Sequence, residues 1–154
     1  MILTNIFFYL TIIALLSAAV FDFREQRVDW RILTFGILTA VIYTFLVGDY
    51  RNALYSLISM GSIPLLLVSV SREKWMGWGD VLFAIQIALI TGYPSSLIAL
   101  CIAFWSGSIF GIIYLLSKPG NKNIPFGPFM VLGCVLAIIF GRSVITVLLN
   151  SSVF

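Results

Sequence analysis

Two aspartates stand where apolar runs meet charged segments. Asp80 lies in WMGWGDVLFA, residues 75–84, directly before a long apolar run, and Asp22 ends an earlier one. Apolar surroundings disfavour an ionised carboxyl group, and two nearby carboxylates disfavour double ionisation further, so such a pair shares one proton at neutral pH. One member can then activate water while the other protonates the peptide carbonyl or the leaving amine. The two residues therefore predict aspartic protease chemistry, which needs neither a metal nor a cofactor.

The composition is that of an integral membrane protein. Of the 154 residues, 61% are hydrophobic and 10% are charged, and the mean hydropathy is +1.11. A soluble domain of this size needs a polar surface that these residues cannot supply. The net charge of +3 is too small and too dispersed to indicate nucleic acid as a partner. The absence of histidine excludes Ser/His and Cys/His catalysis and argues against a zinc site.

Charges and helix breakers divide the chain into six apolar spans. The uncharged run 81–117 is nearly twice as long as a helix that crosses a ~30 Å hydrocarbon core, so it must fold back, and GYPSS at 92–96 is the turn signal. The spans are 2–21, 32–47, 53–70 (kinked at Pro64), two within 81–117, and 126 to about 149. We expect an all-α, polytopic bundle of six transmembrane helices that forms a single domain over residues 1–154, with Cys101 and Cys134 as core residues.

The basic residues predict the orientation in the bilayer. Only Arg51 and Arg142 lie on one side of the predicted helices. The loops after helices one, three and five hold Arg24, Arg27, Arg31, Arg72, Lys74, Lys118 and Lys122. Because basic loops stay in the cytoplasm, this distribution places both termini outside it.

This orientation brings the two aspartates to one face. A fourth helix of roughly 20 residues that ends near Tyr93 begins near Lys74, which puts Asp80 one or two turns inside the cytoplasmic interface. Asp22 ends the first helix on the same side. A simpler interpretation is that Asp80 is a helix N-cap and Asp22 an interfacial residue in a basic loop.

Three short motifs occur in order along the chain. DFREQRVDW, residues 22–30, is close to the pattern D-x-R-x-x-x-I-P-N/D, with Asp22, Arg24 and Val28 at matching spacing. GWGD, residues 77–80, is a G-x-G-D motif, and IPFGPFMVLG, residues 124–133, looks like an I-P-F-G-P segment that opens a last helix. Together these motifs resemble those of the type IV prepilin peptidases, a family of membrane aspartic proteases, and they cover nearly the whole chain.

The resemblance implies a site and a substrate. Asp22 and Asp80 correspond to the catalytic aspartates, and cleavage of the basic leader of a prepilin or pseudopilin is expected at the cytoplasmic face of the inner membrane. Candidate substrate-binding residues are Gly77, Gly79, Arg24, Pro125, Phe126, Gly127 and Pro128. The two glycines of GWGD could unwind the backbone for an extended peptide, or merely relax a loop before a helix. PFGP could shape the site, or simply start helix six. Arg24 is also explained as a topology determinant, because a basic leader would be repelled by it.

The chain departs from the family pattern at two positions. Asp29 replaces the Pro of the first motif, which could loosen that loop, and Leu82 replaces a common Lys, which removes a cation beside Asp80. A reduced or narrowed activity is therefore conceivable. The chain also lacks the cysteine-rich cytoplasmic insertion of bifunctional members, so the resemblance implies the short, peptidase-only type without N-methylation.

Two other functions remain open at the level of sequence. Buried carboxylates also serve as proton relays, so a small proton-coupled transporter is an alternative, although the halves show no internal symmetry. A catalytically silent homologue that helps to assemble a pilus or secretion apparatus is the other. The lipid bilayer is an expected partner, and homo-oligomerisation is undecided.

Overall fold

The computed structural model describes residues 2–25, 29–74, 76–117 and 125–151, with side chains in the last range described up to 141 and at 143, 145 and 146. Within these ranges the chain forms six α-helices and no strand, which confirms the predicted all-α fold. The helices are α1 (Ile2–Glu25), α2 (Trp30–Val47), α3 (Tyr50–Ser71), α4 (Trp78–Thr91), α5 (Ser95–Ser117) and α6 (Gly127–Ser151).

Four of these helices, α1, α2, α3 and α5, are long and apolar enough to cross a bilayer. The chain is therefore a multi-pass membrane protein. The fully described part of α6, Gly127–Gly141, is a shorter apolar segment, and α4 is an apolar helix of only 14 residues. At ~1.5 Å per residue, α4 is about 21 Å long, less than the ~30 Å hydrocarbon core.

The prediction that the fourth helix begins near Lys74 is wrong, because α4 begins at Trp78. The residues before it form a tight turn. Arg72 and Glu73 both adopt left-handed conformations, with φ of 50° and 64°, and their N–H groups donate to the Val68 carbonyl at the end of α3. Because these residues form the turn that ends α3, they cannot also belong to a longer α4.

The turn between α4 and α5 lies where GYPSS predicted it. Gly92 has φ of 69°, which favours glycine, and the Tyr93–Pro94 peptide bond is cis. The Tyr93 N–H donates to Asn52 Oδ1 at 2.6 Å. Since Asn52 belongs to the first turn of α3, this hydrogen bond joins the α2–α3 end and the α4–α5 end of the bundle, as the predicted alternation of helices requires.

Helix α4 forms the centre of the bundle. It packs against each of the other five helices, and eight of its 14 residues are buried. Phe83, Ala84, Ile87 and Ala88 are fully inaccessible and form the middle of the main apolar core. The surrounding helices expose large apolar side chains on their outer surfaces, which suits contact with lipid tails.

A buried polar group joins three helices inside this core. Gln86 of α4 is fully buried, and its Nε2 donates to the Thr11 carbonyl of α1 at 3.0 Å. Thr11 Oγ1 donates in turn to Thr39 Oγ1 of α2 at 3.0 Å. The Gln86 amide lies directly against Gly36 of α2, where an added Cβ would overlap it. Hydrogen bonds of this kind hold helices together where no water is available.

Small residues let α5 and α6 approach closely. A Cβ at Gly133 of α6 would overlap the Ala99 carbonyl of α5, and one at Gly107 would lie 2.7 Å from the Phe126 ring. Gly107 and Gly111 are both buried, so the G-x-x-x-G stripe of α5 is an internal packing face. Cys134 is buried as predicted, but Cys101 is exposed, which corrects the expectation of a core residue.

We predict that Gly36→Ala destabilises the protein although alanine is the better helix former. The added methyl group would displace the Gln86 amide and break its bond to Thr11, at a cost of about 1–3 kcal/mol. Thermal unfolding in detergent should show a lower Tm. Gly61→Ala is the matched control, because a Cβ at Gly61 of α3 meets no atom within 4 Å. A Tm for Gly36→Ala equal to that of the control would contradict the packing described for Gln86.

Candidate active site

Asp22 lies one turn before the end of α1, on the face that packs into the bundle. It is 7% exposed, and Ala18 and Ala19 on the same face are also buried. Its Oδ2 accepts a hydrogen bond from the Gly127 N–H at 2.9 Å, across 105 positions of sequence. A buried carboxylate needs such donors, because desolvation without them is strongly unfavourable.

The Gly127 N–H is available because it belongs to the first turn of α6. The first N–H groups of a helix have no partner inside it, and the N-terminal end carries a partial positive charge. The helix is started by the Phe126 carbonyl, which accepts from the N–H groups of Phe129 and Met130 at 3.0 and 3.2 Å. PFGP therefore does begin α6, and the same turn also holds the Asp22 carboxylate.

Asp80 lies in the first turn of α4 and is half-buried. Its Oδ2 accepts from the Gly77 N–H at 3.2 Å, while its own N–H donates to the Gly77 carbonyl at 3.1 Å. Gly77 is thus the N-cap, and Asp80 occupies the third helical position rather than the N-cap position of the simpler interpretation. Because α4 begins at Trp78 and not near Lys74, Asp80 lies in the first turn of the helix.

The two carboxylates occupy the same end of the bundle. Asp22 is close enough to Asp80 for the two charges to repel each other. Phe83, one turn after Asp80, packs against the first turn of α6, since its ring carbons lie 3.1 and 3.2 Å from the position of a Cβ at Gly127. The end of α1 and the starts of α4 and α6 therefore meet around the pair.

The two glycines of GWGD differ in structure. Gly77 has an extended conformation, with φ of −93° and ψ of 163°, and a Cβ there would meet only the Gly79 nitrogen, at 3.9 Å. Gly79 lies in the first turn of α4, where its backbone is helical, and its predicted part in admitting a peptide stays a prediction.

The remaining predicted residues differ in their exposure to solvent. Arg24 is exposed in the last turn of α1. Pro125 and Phe126 precede α6 and are half-buried, and Pro128 lies in its first turn. The Phe126 ring packs on Phe104 of α5, with 5.3 Å between ring centroids. Phe126 is thus a packing residue in this structure, and Gly127 is the member of PFGP that touches an aspartate.

The turn before α4 contains contacts that the sequence did not indicate. Met76 is buried against Val68 and Val81 in a second apolar cluster. Trp78 Nε1 donates to Glu73 Oε1 at 2.8 Å, which links the first residue of α4 to the turn at the end of α3. These contacts fix the backbone that leads into Gly77. No periodicity marks them, because they join loop residues to the ends of two helices.

The two departures from the family pattern are accommodated. Asp29, in place of Pro, is the N-cap of α2 and accepts from the Arg31 N–H at 2.9 Å, with φ of −74° that a proline would also adopt. Leu82, in place of Lys, packs against the main core. Val28 and Ile124 of the motifs, and Arg27, Lys118 and Lys122 of the basic loops, lie outside the described residues. Within the described part, no three His, Cys, Asp or Glu residues are grouped to hold a metal ion.

Comparisons with known proteins agree with the motifs. The chain is 26% identical over 146 residues to the prepilin leader peptidase/N-methyltransferase of Aeromonas salmonicida strain A449, and equally to that of Aeromonas salmonicida. The match covers 94% of this chain and 50% of each relative, so the chain spans about half the length of the relatives it matches. No solved structure matches. The model of the type IV leader peptidase family matches residues 9–116, which is more than half of the chain. The chain belongs to the type IV leader peptidase family.

Proposed function

We propose that this protein is a membrane aspartic endopeptidase that removes the basic leader from a prepilin or pseudopilin, with Asp22 and Asp80 as its catalytic residues. The observation that carries the proposal is that two carboxylates from α1 and α4 meet at one end of an apolar bundle, each held by a glycine N–H. The names of the two relatives supply the substrate class.

Hydrolysis by such a pair requires one ionised and one protonated carboxyl group. The ionised member takes a proton from water, and the water oxygen attacks the carbonyl carbon of the scissile peptide bond. The other member gives its proton to the amide nitrogen as the C–N bond breaks, which releases a new carboxyl end and a new amino end. Burial in apolar surroundings, together with repulsion between the two charges, disfavours double ionisation and so favours the state with one proton.

An extended peptide would approach the pair past Gly77. The space where a Cβ would stand is open there, while Met76 and the Glu73–Trp78 hydrogen bond hold the turn on either side. Gly77 would then contact the substrate backbone, as glycines do at close approaches. We assign Pro125, Phe126 and Pro128 to shaping the site from α6, and Arg24 to its exposed rim.

We predict that Asp22→Asn and Asp80→Asn each reduce cleavage by about 10³-fold or more, because neither carboxylate can perform both proton transfers. An Asn side-chain oxygen still accepts the glycine N–H, so the fold should persist. Co-expression with candidate prepilins, followed by mass measurement of the new N-terminus, checks this. Asp29→Asn is the matched control, since Asn also caps a helix. Substantial processing by either single variant would exclude the two-aspartate mechanism.

The same experiment separates the other functions. A silent homologue would support pilus or secretion assembly equally well with both aspartates replaced. A transporter would show proton-coupled flux and no new N-terminus on any pilin.

We predict a further difference between Asp80→Asn and Asp80→Ala. Both lack the carboxylate needed for cleavage, but only Ala also removes the acceptor for the Gly77 N–H. The alanine variant should therefore be less stable by about 1 kcal/mol, measured by thermal unfolding in detergent. Equal Tm values for the two variants would show that the hydrogen bond to Gly77 contributes nothing to α4.

The proposed site lies at the cytoplasmic face of the inner membrane, because seven basic residues flank that end of the helices and two the other. We predict that reporter fusions after Arg31, Lys74 and Lys122 have cytoplasmic activity, and that fusions after Asp49 and at the C-terminus do not. A cytoplasmic reporter at the C-terminus would reverse the assignment of α6, and with it the face that carries the site.

A further inference from the structure

Gly127 lies in the first turn of α6, and its φ is not in the left-handed region, unlike those of Gly48 and Gly92. It directly precedes Pro128, whose ring disfavours a Cβ on the residue before it in a helical conformation. A second constraint on this position is the space that neighbouring helices leave around it.

That space is occupied by Asp22 and Phe83. A Cβ at Gly127 would lie 2.6 Å from Asp22 Oδ2 and 3.1 Å from the nearest Phe83 ring carbon. The carboxylate oxygen is the closer of the two, and it is the same atom that accepts the Gly127 N–H at 2.9 Å. Any side chain at this position would push away the oxygen that the backbone holds. Phe83 is fully buried and has no free space to retreat into.

We propose that Gly127 is a positioning residue for the catalytic carboxylate Asp22. The Gly127 N–H holds Asp22 Oδ2, and the absence of a side chain at Gly127 leaves room for that oxygen. The contact itself is independent of the reaction, whereas its effect on catalysis rests on the proposed function. Because Oδ2 is engaged by the N–H, Asp22 exchanges its proton with water or substrate through Oδ1. The first turn of α6 thus sets the orientation of a carboxyl group carried by α1.

An experiment without substrate tests the contact. The chain has four Phe–Gly peptide bonds, at residues 35–36, 110–111, 126–127 and 140–141, so labelling Phe carbonyl carbon and Gly nitrogen gives four amide signals in detergent. The signal that disappears in the Gly127→Ala variant is that of the Gly127 amide. Asp22→Asn should move that signal, because the N–H then faces a neutral acceptor, whereas Asp29→Asn should leave it in place. If the Gly127 amide signal has the same chemical shift in Asp22→Asn as in the wild type, the contact is contradicted.

A kinetic experiment tests positioning. Gly127→Ala should lower kcat by about tenfold to a hundredfold, the effect of a reacting group misplaced by a fraction of an ångström to 1 Å, with KM changed by less than about twofold. Gly61→Ala should leave both constants unchanged, because a Cβ there meets nothing within 4 Å.

Phe83→Leu separates displacement of Asp22 from general crowding. In the double variant Gly127→Ala/Phe83→Leu the ring carbons near the new methyl group are removed, but Asp22 Oδ2 still lies in its way. The loss of kcat should therefore persist relative to Phe83→Leu alone. Recovery of kcat in the double variant, or a normal kcat in Gly127→Ala, overturns the proposal. If the wild-type protein cleaves no prepilin, the proposed function fails, and the amide signal of Gly127 still decides the contact.

Discussion

A carboxylate buried among apolar helices must find donors within the protein, and this requirement governs the arrangement of the bundle. Asp22 meets it at the first turn of α6, where the Gly127 N–H has no partner in its own helix. The bond spans 105 positions, so it can form only when α1 and α6 are already packed together. The site is therefore a product of the whole fold, since the path through α2 to α5 determines where α6 begins.

The short central helix provides the second half of the site. Each of the five helices around α4 is longer than its 14 residues, so the first turn of α4 is sheltered although it is a helix end. This explains why Asp80 is half-buried without lying deep in a helix. Its carboxylate holds the Gly77 N–H, which is a structural role, and the same placement brings it near Asp22. The position that lets Asp80 bind the Gly77 N–H is therefore also the position that its proposed chemical role requires.

The sequence predicted the features that depend on length, charge and helix breakers, and it missed those that depend on which side of a helix faces which neighbour. The six helices and the turn at Gly92 follow from apolar run lengths and from glycine and proline. The start of α4 was misplaced because the left-handed turn at Arg72 and Glu73 has no glycine to mark it. The exposure of Cys101 could not be anticipated, since α5 is apolar on all sides and periodicity gives no direction. The Gly127–Asp22 bond depends on tertiary packing alone.

The glycines of the bundle differ in what makes them necessary, and this difference bears on where a substrate would enter. Gly92 needs its left-handed conformation, Gly36 leaves room for the Gln86 amide, and Gly127 leaves room for Asp22. Gly77 is the N-cap of α4, a position at which glycine is among the preferred residues, and its N–H is bound by Asp80 Oδ2. Its extended backbone lies directly beside one of the two carboxylates. Under the proposed function, this is where the backbone of a substrate peptide would approach the pair.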